Sequence, residues 1–307
     1  MEEQILIEDI IEGVIKGVIV KGIGGFYYVQ TKEALVECKA KGIFRLEKQT
    51  PLPGDKVVIE LLNSEINKGV IIKICDRTSL LTRPAVANID QLFIVVSCSS
   101  PVPDLLLADK LIVTAFFHGI KPILIFNKID LNVESNEPFS CQYVEAGIDV
   151  IMSSTVNEVG IDQILDKMKN RISGFAGQSG VGKSSILNTV LQNVVMPTGE
   201  VSGKISRGKH TTRHAELFAI EGNGFVLDTP GFSSYELENM KYNELWEYYP
   251  EMNAYRDECR FKGCIHVSEP NCVIKEKVAL GEINELRYKR YLQLVATLNE
   301  TYNNRWR

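Results

Sequence analysis

The sequence predicts a multidomain protein with a small β-barrel first, an α/β domain next and a small, mostly α-helical domain last. Three observations support this prediction. Short segments rich in β-branched and aromatic residues, separated by glycine and proline, fill about the first 75 residues. Longer apolar strands alternate with helices after Arg77. Three of the seven cysteines lie close together near the C-terminus. We therefore expect domains at 1–75, 76–235 and 236–307.

Composition excludes some classes of protein. The 307 residues are 45% hydrophobic and carry a net charge of −5, so no overall electrostatic signal points to nucleic acid. No apolar run approaches the roughly 20 residues of a membrane span. The N-terminus is acidic where a secretory signal is basic, and an odd number of cysteines fits a reducing cytosol. We expect a cytoplasmic protein without membrane contact.

The barrel prediction depends on five segments of strand-like composition. They are Val14–Val20, Phe26–Gln30, Leu35–Lys39, Lys56–Leu61 and Val70–Ile74. Five strands in this length fit the oligonucleotide-binding (OB) fold, which often binds nucleic acid on one face, but also a generic small barrel. The aromatic run Phe26 to Tyr28 is compatible with either, because these rings stack on bases or fill a core.

In the α/β domain, a buried strand at Leu92–Val96 and a helix at Leu105–Phe117 precede a second strand, Pro122–Phe126. That strand leads into Asn127-Lys128-Ile129-Asp130, which has the pattern N-K-x-D. The Asp130 carboxylate can accept hydrogen bonds from N1–H and the 2-amino group of guanine, whereas adenine offers neither donor. Asn127 and Lys128 would hold the loop and flank the base.

Two further loops follow strands in the same domain. Asp149–Met152 leads into Ser153-Ser154-Thr155, where GTPases place a polar loop whose backbone touches guanine. After a helix at Ile161–Asn170, the strand Ile172–Ala176 leads into Gly177-Gln178-Ser179-Gly180-Val181-Gly182-Lys183-Ser184, with Ser185 next. This is the spacing G-x-x-x-x-G-K-[ST] of a phosphate-binding loop between a strand and a helix. Lys183 would reach the terminal phosphates of GTP or GDP and act as a catalytic residue, and the Ser184 hydroxyl would bind Mg²⁺.

The switch elements come last. Thr211 and Thr212 are both candidates to complete the Mg²⁺ shell. Of the two, Thr212 is assigned to Mg²⁺ and also to a catalytic role. Two strands, Leu217–Ile220 and Gly224–Leu227, end in Asp228-Thr229-Pro230-Gly231, the pattern D-x-x-G. Asp228 would reach Mg²⁺, and the Gly231 N–H would contact the γ-phosphate.

The order of these motifs is permuted. In ordinary GTPases the phosphate loop comes first and N-K-x-D late, whereas here N-K-x-D and the serine loop precede it. A circular permutation can keep the same sheet because domain termini often lie close together. Because D-x-x-G runs directly into the C-terminal domain, we expect the nucleotide state to set the position of that domain.

The C-terminal domain contains Cys259-x4-Cys264-x-His266-x5-Cys272. Three thiolates and one imidazole can close a tetrahedral structural zinc site; free buried thiols are the alternative. Tyr242–Tyr249 and Ile283–Tyr302 are predicted helices, the second with an apolar stripe at Leu286, Val295, Leu298 and Tyr302. Its basic residues either face phosphates or form a solvated face; they are Arg287, Lys289, Arg290, Arg305 and Arg307.

With permuted motifs between a barrel and a Cys3His site, essentially the whole chain resembles the ribosome small-subunit-dependent GTPase A family. The resemblance implies an OB-fold barrel, a permuted GTPase domain, a zinc domain, and GTP hydrolysis stimulated by the small (30S) ribosomal subunit during its late maturation, with that subunit and its rRNA as partners. It also implies that Asn127, Lys128 and Asp130 contact guanine, that Gly177 to Ser185 hold the phosphates, and that the four C-terminal residues bind zinc. Nothing demands a dimer, so a monomer is expected.

The residue after D-x-x-G constrains the mechanism. It is Phe232, where Ras-like enzymes have the glutamine that orients the attacking water. A phenyl ring cannot do this, so either another group positions the water or the ribosome supplies it, and the protein alone should hydrolyse GTP slowly. His210 is the candidate for that role, as the resemblance also suggests; alternatively it binds RNA with Arg207, Lys209 and Arg213.

Two other functions fit parts of the sequence. One is a GTP-gated RNA-binding scaffold whose hydrolysis serves release, and the other is a metal-delivery GTPase. The short ligand spacing favours a closed structural site over metal delivery. N-K-x-D makes a P-loop kinase a poor fit.

Overall fold

The computed structural model describes residues 13–46, 49–62, 67–82, 84–131, 137–192, 215–228, 237 and 240–304. Within this part of the chain the strands are β1 Val14–Ile23, β2 Phe26–Gln30, β3 Leu35–Ala40, β4 Lys56–Leu61, β5 Lys68–Ile74, β6 Leu80–Thr82, β7 Ala85–Ala87, β8 Gln91–Ser97, β9 Lys121–Asn127, β10 Asp149–Ser153, β11 Ile172–Ala176, β12 Glu216–Ile220 and β13 Gly224–Asp228. The α-helices are α1 Ile43–Leu46, α2 Leu105–Phe117, α3 Glu137–Glu145, α4 Ile161–Met168, α5 Lys183–Gln192, α6 Pro250–Asn253, α7 Val273–Ala279 and α8 Glu285–Asn304. Ile129–Leu131 and Leu245–Tyr248 form 3₁₀ helices.

Contacts divide the chain into two compact units. The first contains the described residues up to Ile89, with short stretches of β12 and β13; the second begins at Asp90 and includes the C-terminal helices. No helix in the described ranges is both long and apolar enough to cross a bilayer.

The first unit is a closed five-stranded barrel in the order β1-β2-β3-β5-β4, with β4 paired back to β1. All neighbours whose pairing is given run antiparallel except β3 and β5, which are parallel. Alternation builds its core, since Val57 and Ile59 of β4 point inward while the residues between and beside them do not. The predicted barrel is confirmed, and its strand order is that of an OB-like fold.

A six-stranded sheet has the order β10-β9-β8-β11-β13-β12, and its strands β8 to β11 belong to the second unit. Strands β8 to β11 are parallel neighbours, and every residue of β8 is buried, as the continuous apolar run predicts. Because the strands are parallel, the loops that follow β8, β9, β10 and β11 all leave from one edge. This edge carries the predicted nucleotide motifs.

The C-terminal part differs from prediction in two places. Tyr242–Tyr249 was expected to be a helix, but only a 3₁₀ turn at Leu245–Tyr248 forms, because Pro250 follows and holds Tyr249 in an extended conformation. Helix α8 begins at Glu285 rather than Ile283, because the Asn284 side chain accepts the backbone N–H groups of Leu286 and Arg287 and caps the helix.

The expected apolar stripe of α8 is wrong at both ends. Leu286 and Tyr302 are about half exposed. The buried face of α8 instead begins at Tyr288 and continues at helical spacing. It packs into one apolar core with Met240, Leu245, Tyr249 and Met252. The residues of this face are Tyr288, Tyr291, Leu294, Val295 and Leu298.

Candidate nucleotide site and metal centre

The phosphate loop lies between β11 and α5, and α5 begins at Lys183. All three of its glycines have positive φ, a conformation that favours glycine, and two of them lie against neighbouring residues. Gly177 has φ +133°, and a Cβ there would lie 2.2 Å from the Val95 carbonyl oxygen. Gly182 has φ +102°, and a Cβ there would lie 2.2 Å from Asn127 Nδ2. The loop is thus shaped by its glycines to approach neighbouring backbone closely, as a phosphate cradle requires.

The N-K-x-D loop contacts the phosphate loop directly. Asn127 Nδ2 donates to the Val181 carbonyl oxygen at 2.9 Å, and Lys128 Nζ donates to the carbonyl oxygens of Ser100 at 2.6 Å and Gly180 at 2.8 Å. Lys183 Nζ donates to the carbonyl oxygens of Gly177 and Gln178, both at 2.7 Å. Two motifs about 50 residues apart are therefore held as one structure.

The remaining member of the tetrad faces the serine loop. Ser154 Oγ donates to Asp130 Oδ1 at 2.5 Å, and Asn127 pairs in register with Ser153 across β9 and β10. Burial, together with the Asp130 charge, raises the pKa of Cys98 nearby to about 11, which keeps that thiol protonated. Asn127 Oδ1 and Ser153 Oγ are buried without a hydrogen-bond partner among the described residues. Such orphaned polar atoms at the strand ends fit a site that binds a polar ligand.

Several predicted site residues lie outside the described residues. They are His210, Thr211, Thr212 and Gly231, together with Phe232. Asp228 ends β13, which neighbours β11 in the sheet, but its side chain is also outside the described part. Ser184 and Ser185 lie in the first turn of α5.

The four predicted metal ligands come together. The candidate ligand atoms of Cys259, Cys264, His266 and Cys272 all lie within 4.8 Å of one another. His266 Nδ1 is 3.6, 3.4 and 3.3 Å from the Sγ atoms of Cys259, Cys264 and Cys272, and the Cys259 and Cys272 sulfurs are 3.9 Å apart. Tetrahedral ligands at the zinc–sulfur distance of about 2.3 Å are separated by about 3.7 Å, so these residues fit that ion.

The protonation states of the cluster bear on metal binding. Burial lowers the pKa of His266, which leaves the imidazole in the neutral form that binds metals. Burial also raises the pKa of Cys264 to about 12, so this thiol must release its proton when a metal binds. His266 has φ +59°, and the Glu269 carboxylate accepts the N–H groups of Ile265, Val267 and Ser268 around it. The ligand loop is thus held in shape by its own acidic residue.

Both readings of Arg287 and Arg290 from the sequence are wrong. Arg287 is 1% exposed, and its guanidinium donates to Asp109 at 2.8 Å and to Glu251 at 2.6 Å. Arg290 donates to the other oxygen of Asp109 and to Gln142 Oε1. Burial alone would lower the pKa of Arg287, but the charges of Asp109 and Glu251 outweigh it and raise that pKa. The signal in the sequence was Asp109, the one carboxylate of the largely apolar helix α2. Lys289 is exposed and pairs with Glu285, while Arg305 and Arg307 lie outside the described residues.

The barrel aromatics differ in their surroundings. Phe26 is 37% exposed with Lys39 Nζ 5.2 Å from its ring centroid, whereas Tyr27 packs against the barrel core. Tyr28 donates its hydroxyl to Glu37 at 3.2 Å. Beside Phe26 is a groove of about 560 Å³, which Lys39 and Lys41 also line.

Family models match both parts of this architecture. The RsgA N-terminal domain model matches residues 16–71, and the RsgA GTPase model matches residues 74–238. The chain belongs to the RsgA GTPase family. It is therefore an enzyme that hydrolyses GTP.

Relatives of this family span nearly the whole chain. The Small ribosomal subunit biogenesis GTPase RsgA of Ruminiclostridium cellulolyticum is 47% identical over 286 residues, covering 92% of this chain and 94% of the relative. The protein of the same name from Geobacillus thermodenitrificans is 42% identical, covering 93% of this chain and 98% of the relative.

Two solved structures share the fold of this chain. The crystal structure of YloQ, a circularly permuted GTPase, superposes with a TM-score of 0.81 at 32% identity and covers 94% of this chain and 96% of its own. YjeQ from Thermotoga maritima gives a TM-score of 0.79 at 32% identity, covering 93% and 98%. The circular permutation predicted from motif order is confirmed.

Proposed function

We propose that this GTPase acts in late maturation of the small ribosomal subunit and that the subunit stimulates its hydrolysis of GTP. The observation that carries the proposal is the joining of the N-K-x-D loop to the phosphate loop, together with relatives named for small-subunit biogenesis. Such a role implies a cytoplasmic protein. We also infer the division into domains at 1–75, 76–235 and 236–307, and a monomer.

Guanine and phosphate are assigned to separate parts of one edge. Asp130, held by Ser154, accepts the guanine N1–H and amine, while Asn127 and Lys128 fix the loop on which the phosphates rest. Ile129 lies in the same loop, and the serine loop contributes Ser153 and Ser154. The phosphates lie on the backbone N–H groups of residues 177–185 with Lys183. Mg²⁺, which neutralises charge as the γ-phosphate leaves, would be held by Ser184 and Thr212, with Asp228 reaching it through water.

The Cys3His cluster is assigned to one zinc ion of structural role. All four positions of a tetrahedral ion are taken by protein, which leaves none open for catalysis or ready exchange. This argues against metal delivery. The partner RNA is assigned to the barrel groove, where the exposed Phe26 ring can stack on a base and Lys39 and Lys41 can meet phosphates.

The test is GTP turnover by the purified protein, alone and with small or large ribosomal subunits at matched salt. We expect slow turnover alone, because Phe232 cannot orient water, and a large stimulation by the small subunit only. A Lys183→Ala variant is the negative control. Equal rates with and without small subunits, while GTP still binds, would contradict the ribosomal role.

The same assay assigns His210. If His210 positions the attacking water, His210→Ala loses stimulated turnover and still binds the subunit. Loss of subunit binding with an unchanged maximal turnover would assign it to RNA contact instead, together with Arg207, Lys209 and Arg213.

A further inference from the structure

Helix α2 lies between the phosphate loop and the C-terminal helix α8. On one side, a cavity of only about 10 Å³ lies between α2, β8 and the loop, so the helix packs closely beneath the loop. Its lining includes Leu107, Ala108 and Leu111 from α2 and Gly177, Gln178 and Val181 from the loop. On the other side, Val113 belongs to the apolar core of the C-terminal part. One rigid element therefore touches both regions.

Asp109 fixes α2 against α8. Its side chain is fully buried, with Oδ1 accepting Arg287 Nη1 and Oδ2 accepting Arg290 Nε. Arg287 is also paired with Glu251, and its guanidinium lies 4.9 Å from the Tyr143 ring centroid. A buried charge that loses its partner is expensive, so the two helices are held in one relative position.

The same turn of α8 holds the metal-ligand loop. Tyr288 donates its hydroxyl to the His266 carbonyl oxygen at 2.7 Å, and Tyr291 donates to the Ile265 carbonyl oxygen at 2.5 Å. Arg287 and Arg290 come from this turn as well. A continuous series of contacts thus runs from the Cys3His cluster through α8 and Asp109 to the helix beneath the phosphate loop.

We propose that Asp109 is a positioning residue through which metal occupancy of the Cys3His cluster sets the affinity of the phosphate loop for nucleotide. The inference rests on the proposed function, which places zinc and guanine nucleotide at these two sites. It adds a second connection to the one that we expect through D-x-x-G, and the second does not pass through the switches. By thermodynamic linkage, nucleotide must change the affinity for zinc by the same factor.

The experiment measures this factor in the full-length protein. GDP affinity is determined with a fluorescent GDP analogue in the zinc-loaded protein and after chelation, and Zn²⁺ affinity by chelator competition with and without GDP. We expect zinc removal to weaken GDP binding about fivefold or more, within the usual range of couplings, and GDP to strengthen Zn²⁺ binding equally. Asp109→Asn should bring both factors to about one, because the amide cannot hold two guanidinium groups.

Two controls separate coupling from stability. Glu285→Gln breaks an exposed pair on the same helix, and Ile59→Ala destabilises the barrel core; both should keep the wild-type factor. If Asp109→Asn does not fold, the variant Tyr288→Phe/Tyr291→Phe removes only two hydroxyl groups and should also lower the factor.

Two results would overturn the inference while leaving the proposed function intact. One is equal GDP affinity in zinc-loaded and zinc-free wild-type protein, and the other is the full wild-type factor in Asp109→Asn. A protein that fails to bind GDP, or fails to bind Zn²⁺, contradicts the proposed function and the inference together.

Discussion

Two aspartates of the second unit each lie between two cations, and they differ mainly in burial. Asp109 is fully buried between Arg287 and Arg290. Asp149, at the start of β10, accepts hydrogen bonds from Lys121 and Lys167 at 2.9 Å each, and its side chain is 36% exposed. Each carboxylate thus has two cationic partners, but Asp109 lies in the interior and Asp149 at the surface.

The difference shows that partner count does not measure the energetic role of an ion pair. At the surface, water solvates Asp149 when a lysine leaves, so each pair contributes little. In the interior, water cannot replace a lost partner. Separating α2 from α8 would therefore leave Asp109 as an unpaired buried charge, which is strongly unfavourable. Arg287 and Arg290 lie 178 and 181 positions from Asp109 along the chain.

Removing a metal ligand should have the largest effect on stability, because the ligand loop is hydrogen-bonded to the turn of α8 that carries Arg287 and Arg290. A structural zinc ion contributes about 10 kcal/mol or more to the folding of small sites. In Cys272→Ser we expect α8 and the ligand loop to lose amide protection in hydrogen exchange, while β10 beside Asp149 keeps it. Cys141→Ser, at an exposed cysteine outside the cluster, is the control and should change neither.

Breaking the buried pair itself should have the next largest effect. Arg287→Met leaves Asp109 and Glu251 short of a buried partner, which costs about 3–5 kcal/mol. Urea unfolding followed by hydrogen exchange of α8 measures the loss. Lys289→Met, on the exposed side of the same helix, should cost no more than about 0.5 kcal/mol. Similar losses in the two variants would mean that burial does not separate them.

The smallest effect is expected at Asp149. Hydrogen bonds from Lys121 and then Lys167 lower the pKa of this carboxyl, so its contribution to stability is present above its unfolded pKa near 4 and is lost as pH falls below that value. Asp149→Asn should cost about 0.5 kcal/mol or less at neutral pH, and nothing in about 1 M salt or once the pH has fallen through the lowered pKa of the folded state. A loss of stability that persists in high salt would mean that Asp149 behaves like the buried Asp109 rather than like an exposed charge.

Local patterns in the sequence predicted much of the fold. The five barrel strands, the parallel strands and helix Leu105–Phe117 follow from alternation, apolar runs and turn residues over short windows. The motifs could also be identified from short windows, since the conformations of a few consecutive residues require Gly177, Gly182 and their neighbours. The assignment of these residues to nucleotide and metal remains a prediction.

What escaped prediction depends on partners distant in sequence. Arg287 resembles any helical arginine until Asp109 and Glu251 are placed beside it by the fold. The hairpin β6–β7 was missed because its strands have only three residues each, too few to show a period. The hydrogen bond from Lys128 to the Gly180 carbonyl oxygen likewise could not be predicted, because the spacing of a motif does not indicate which carbonyl its lysine contacts.

The closed barrel limits how this protein can meet other chains. Because β4 pairs back to β1, the five strands leave no open edge with unpaired backbone groups. Another polypeptide cannot join this sheet as an additional strand, and two copies cannot fuse their barrels edge to edge. Recognition by this part of the molecule is left to side chains and loops, so partner choice there can evolve residue by residue without disturbing the backbone that carries it.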